Sequence, residues 1–151
     1  MEQDFEVLDT GTYSGSIAIQ KTGSLAKSPY IAEAKYLYQH VDIDRDVSYS
    51  RSNIASLSGK LYWRDRYSGK LAYTYSDDDF SYEGADPEFT SRDGKEHKLA
   101  LVASWFSADG RMKLDVGGDY HETSARGVNF DVDGYKIFIE GEVPLFWDVK
   151  G

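Results

Sequence analysis

The chain has 151 residues, no cysteine and a formal net charge of −9. That length suits one domain over residues 1–151 that needs no staples. The missing thiols exclude a disulfide scaffold and thiolate metal centres, and negative charge without a Lys/Arg cluster sets nucleic acid aside as a partner. Twelve Tyr, three Trp and fourteen Gly against three Pro favour aromatic-rich strands joined by glycine turns. No run approaches the roughly 20 apolar residues of a membrane helix, a test that membrane strands escape because only alternate residues must be apolar. Met1 to Phe5 lacks the basic and apolar regions of a secretory leader.

A first strand is expected from about Phe5 to Gln20, with Val7, Gly11, Tyr13, Ile17 and Ile19 opposing Thr10, Thr12, Ser14 and Ser16; Lys21 to Ser24 reads as a turn. In a second strand Tyr30, Ala32, Ala34, Tyr36 and Tyr38 share a face against Glu33, Lys35 and Gln39, and Asp42 to Asp46 is its polar exit. A third runs from about Val47 to Trp63, with Ala55, Leu57, Gly59, Leu61 and Trp63 on one side. Arg66 to Gly69 reads as the turn into Leu71, Tyr73 and Tyr75. The pattern weakens from Asp77 to His97, and Gly84 to Pro87 reads as a long hairpin tip.

Leu99, Leu101, Ala103 and Trp105 follow, but Ala100, Val102 and Phe106 make that strand apolar on both faces, which predicts burial on both sides. Ala108-Asp109-Gly110, Arg92-Asp93-Gly94 and Val132-Asp133-Gly134 each fit a three-residue hairpin loop with a glycine bulge. Met112, Leu114, Val116, Gly118 and Tyr120 oppose Lys113, Asp115, Gly117, Asp119 and His121. A short strand, Val128 to Val132, leads to a last alternation through Tyr135, Ile137, Ile139, Gly141, Val143, Leu145 and Trp147.

About eight strands with mostly short connections imply an all-β, antiparallel up-and-down sheet, and closure into a β-barrel would remove its edges. Alternation alone does not tell an apolar inside from an apolar outside. Several segments reach the roughly 9–11 residues of a tilted membrane crossing. Tyr36, Tyr38, Trp63, Tyr73, Tyr75, Trp105, Tyr120, Tyr135 and Trp147 would then face lipid, with those near strand ends forming an aromatic girdle. In a soluble lipocalin-like barrel the same residues would line a pocket for an apolar or aromatic ligand. An all-β sandwich acting as an adhesion or carbohydrate-binding module, using Phe80, Tyr82 and Phe89, is a third possibility.

In size, composition and alternation, and in the ending Gly141, Val143, Leu145 and Trp147, the chain resembles the small eight-stranded barrels of the bacterial outer membrane, natural or designed. The resemblance implies residence in the outer membrane, a lipid bilayer or detergent as partner, and a structural, adhesive or narrow-pore role. Chemistry is faint. His40, His97 and His121 have no ligand-like spacing, and no nucleophile elbow or phosphate loop is present. Asp115, Asp119 and Glu140 would share a polar face, which does not by itself make an enzyme. Asp42, Asp44 and Asp46, and the cluster from Asp77 to Glu88, are expected to be solvated acidic loops, with divalent cations as conceivable partners. No catalytic residue, cofactor or resident metal is assigned, and the oligomeric state is left open.

Overall fold

The computed structural model describes residues 10–43, 47–80, 92–127 and 131–143. It contains β1 (Thr10–Leu25), β2 (Ser28–Ile43), β3 (Val47–Trp63), β4 (Tyr67–Phe80), β5 (Gly94–Phe106), β6 (Lys113–Ala125) and β7 (Val132–Glu142). These form one antiparallel up-and-down sheet in the order β1-β2-β3-β4-β5-β6-β7. The strands are long, 11 to 17 residues, because period-two alternation runs through most of each, with one irregularity in register at Val41/Asp42 of β2. Among the described residues β1 and β7 are edges, so the sheet is open and has seven strands, not the eight or so of a closed barrel. An odd number of alternating strands leaves β1 and β7 running in the same direction.

The turns depart from the expected positions. Lys21 to Ser24 belongs to β1, paired with Pro29 to Ala32, and the chain reverses two residues later at Ala26 and Lys27. Both have positive φ, 49° and 72°, the left-handed pair that matches the twist of a two-residue hairpin. Likewise Tyr67 is not in a turn: it pairs with Trp63 around Arg64-Asp65-Arg66. The chain does reverse at Ala108-Asp109-Gly110, with Gly110 at φ 70°, but Ser107 N–H donates to the Met112 carbonyl and register pairing resumes only at Phe106 and Lys113, so the loop is longer than the three residues expected. Gly94 instead begins β5, and Gly134 lies within β7; neither has the positive φ of a bulge glycine. Val132 opens β7; most of the short strand expected ahead of it, residues 128–130, lies outside the described set, as do residues 144–151, Trp147 among them.

No large hydrophobic side chain is buried among the described residues, whereas Ser50, Ser68 and Ser76 are. From β2 to β6 the Ser-, Thr- and charge-bearing face is largely half-buried, and the Leu- and Tyr-bearing face is mostly exposed. Among the described residues nothing packs over this single layer, so the shelter of one face comes from the sheet curling around it. The strand around Leu101 is accordingly not buried on both sides, since Leu101 is 60% exposed. Ala100 and Val102 on the sheltered side account for its doubly apolar pattern.

Candidate functional site

Side chains directly opposite in register share a face, so the strand pairings assemble rows across the wall. One row reads Ile19, Ala34, Leu57, Tyr73, Leu99, Tyr120, Tyr135; the next Lys21, Ala32, Gly59, Leu71, Leu101, Gly118, Ile137; the third Gly23, Tyr30, Leu61, Gly69, Ala103, Val116, Ile139. Rings bound this apolar field at both ends. Trp63, Tyr67, Trp105 and Leu114 form the row beside the short turns, and Tyr36, Tyr75 and His97 the row on the opposite side, with Tyr38 one row beyond. From Tyr67 to Tyr75 along β4 the distance is about 26 Å at about 3.3 Å per residue, or about 20 Å in height for a strand tilted by about 40°.

The eight described ring residues singled out from the sequence, Tyr36, Tyr38, Trp63, Tyr73, Tyr75, Trp105, Tyr120 and Tyr135, all lie on this face. Tyr135 is 82% exposed, and its neighbours Ile137 and Ile139 are also exposed. The phenol groups on the acidic side find polar partners: Tyr36 Oη donates to Asn53 Oδ1 at 2.7 Å, and Tyr73 Oη is hydrogen-bonded to His97 Nδ1 at 2.7 Å. At the other end the Trp63 and Tyr67 rings sit 6.2 Å apart. Tyr67 completes this row. Its side is fixed by the parity of Leu71, Tyr73 and Tyr75, but the Arg-Tyr-Ser-Gly composition hides it among turn residues.

The sheltered face carries a charged network. Lys113 Nζ is 2.6 Å from Asp115 and 3.7 Å from Glu142, and Lys98 Nζ is 3.9 Å from Asp119. Asp115, Asp119 and Glu140 do share this face, with Asp115 opposite Glu140 and Asp119 opposite Lys136. Each of these aspartates already has a lysine partner. Phe138 lies over Gly117 on the same side.

His40 Nε2 is 2.7 Å from Asp42 at the acidic end. Asp77, Asp78 and Asp79 alternate between faces along β4 instead of converging. No group of three or more His, Asp or Glu among the described residues is arranged to hold a metal ion. Asp44, Asp46, Glu83, Asp86 and Glu88 lie outside the described set, as do Tyr82 and Phe89. No described helix is long and apolar enough to cross a membrane. Comparison of the chain with protein-family descriptions, curated proteins and solved structures finds no match.

Proposed function

We propose that this chain forms a wall of a transmembrane β-barrel of outer-membrane type, with a structural, adhesive or narrow-pore role and no enzymatic activity. One observation carries this reading: among the described residues the exposed face is the apolar one, and the only buried side chains with polar character are serines on the other face. In water that arrangement is inverted, because burial of apolar area is the main stabilising term and here it is left undone. In a bilayer it is the favourable one, with aliphatic side chains against acyl tails, rings at both headgroup levels and a polar lumen. The height of about 20 Å between ring rows approaches the roughly 25 Å apolar band of such barrels.

Unpaired backbone groups on β1 and β7 would be costly in lipid, by several kcal/mol each. Because those strands run the same way, antiparallel closure of the wall takes an odd number of further strands. A lumen lined by Lys, Asp, Glu and Ser side chains would be narrowed by their pairing, which supports a structural or narrow-pore role over conduction of large solutes.

The test is refolding from denaturant into buffer, into detergent micelles and into lipid vesicles. The expected result is a strand-rich circular dichroism spectrum and heat-modifiable gel migration only with detergent or lipid. A folded monomer in plain buffer ends the membrane reading and favours the soluble, ligand-enclosing barrel.

A further inference from the structure

The apolar face carries a furrow at its short-turn end that a plain wall does not require. Gly69 and Ala103 are partners in register, and with so little side chain between them they leave a hollow of about 550 Å³ bounded by Leu25, Leu61, Trp63 and Tyr67. A second hollow of about 400 Å³ continues over Gly59 toward Leu71 and Leu101, sharing Leu25, Leu61 and Gly69 with the first. A Cβ added at Gly59 or Gly69 would meet nothing within 4 Å, so the floor is open outward. The furrow runs from the rim toward mid-height of the wall.

Cations cluster where it reaches the rim. Lys27 sits between Ala26 and Ser28, both of which line the first hollow. Arg64 follows Trp63 and holds its guanidinium 5.1 Å from that ring's centroid, which leaves its in-plane N–H groups free of the stacking contact. Arg66 precedes Tyr67. No ion pair among the described residues involves Lys27, Arg64 or Arg66, and in these two turns only Asp65 offsets their charge. At the opposite rim Asp77, Asp79, Glu122 and Asp133 outnumber Arg51 and Lys95 in the apolar face's outer rows, so net charge distinguishes the two ends.

We propose that this furrow holds one anionic phospholipid of the surrounding leaflet, an acyl chain lying over Gly69 and Gly59 and the phosphodiester at Arg64, Arg66 and Lys27. This rests on the membrane reading above. An apolar trough open along its length accepts a flexible chain, and headgroup-level cations beside interfacial rings select negative charge. The acidic opposite rim disfavours the same lipid there, so occupancy is confined to one leaflet.

The experiment uses the full chain inserted in nanodiscs of equal phosphatidylglycerol and phosphatidylcholine, with retained lipid counted by native mass spectrometry. Wild type is expected to keep one phosphatidylglycerol in about five-fold preference over phosphatidylcholine. Arg64→Gln/Arg66→Gln should bring that ratio to unity while lipid is still retained. Gly69→Leu should fill the trough and lower retention of both lipids, and Lys95→Gln at the far end should change nothing. Heat-modifiable migration confirms that each variant is inserted, and Lys27→Gln, expected to halve the preference, serves if the double variant does not fold. Equal retention by an inserted wild type, or an unaltered ratio in the inserted arginine variant, overturns the lipid site and leaves the barrel standing. Failure of the wild type to insert at all overturns the membrane reading itself.

Discussion

The Phe138 ring on β7 fills the space that a side chain on Gly117 of β6 would need. The two are opposite in register, and a Cβ at Gly117 would stand 2.8 Å from Phe138 Cζ and 2.7 Å from the Leu101 carbonyl oxygen. One obstruction is a ring that can turn, and the other is backbone held by the β5–β6 ladder. Gly117→Ala should therefore destabilise the sheet by about 1–3 kcal/mol, as overpacking does. Gly59→Ala, where nothing lies within 4 Å, should be neutral or slightly stabilising because it relieves glycine's chain entropy. Urea or guanidinium midpoints of the two variants in detergent check the contrast.

Ala26 and Lys27 both occupy left-handed backbone, at φ 49° and 72°, where a Cβ is disfavoured by roughly 1–2 kcal/mol per residue. Ala26→Asn with Lys27→Gly supplies the residues that a two-residue hairpin prefers. The double variant should gain about 1 kcal/mol or more in the same denaturation measurement, with strand content unchanged. A loss of stability would mean that the β1–β2 reversal is not held in this conformation.

That turn also shows where the sequence stops being readable. Lys21-Thr22-Gly23-Ser24 has turn composition and Leu25-Ala26-Lys27-Ser28 does not, yet Gly23 lies within β1 paired with Tyr30. Local propensity is worth less than the ladder and ring contacts that a long strand makes. Period-two parity survives such shifts, because a strand that extends by a few residues keeps each side chain on its face. The shared face of Tyr36, Trp63, Tyr73, Tyr75, Trp105, Tyr120 and Tyr135 was therefore legible without the correct boundaries. Which face is sheltered was not, since an alternating strand reads the same with either side inward. The double apolarity around Leu101 misled for a related reason: Ala100 and Val102 look like core residues, but on a curled single sheet they line the sheltered side, with no second layer above them among the described residues.

The β5–β6 loop should be acid-sensitive. Ser107 Oγ donates to the Asp109 carboxylate, and the Arg111 backbone N–H donates to it at 3.2 Å. The serine hydrogen bond, then the Arg111 N–H, hold the Asp109 carboxyl below its ordinary 3.8. A depressed carboxyl pKa stabilises the fold above the ordinary value, and that contribution is lost as pH falls below it toward the folded-state pKa. Thermal scans between pH 6 and 2 should show a decline below about pH 4 that is shallower in Asp109→Asn. Identical pH profiles for the two proteins would refute this role.

The two faces differ most directly in how they should answer to charge. Leu101 lies in the middle row of the apolar field, and Tyr67 in the ring row at its short-turn end. If that field meets lipid, Leu101→Arg should cost about 2–4 kcal/mol and Tyr67→Arg about 0–1 for the introduced charge, since the penalty falls from bilayer centre to interface. Lost ring contact with Trp63 adds to the second figure, so Tyr67→Ala is the matched reference. On the sheltered face the order of effects comes from pairing instead. Asp115→Leu removes the 2.6 Å partner of Lys113 and should destabilise the sheet by leaving that ammonium without its closest carboxylate. Lys113→Met in the same chain should recover part of that loss, because an apolar pair leaves no charge stranded. Measured by reversible unfolding in lipid vesicles, a depth-dependent arginine penalty together with this compensation is expected of a wall whose wet side is the charged one. Equal costs for the two arginine variants, after Leu101→Ala and Tyr67→Ala are subtracted as their references, would instead place the apolar face in water.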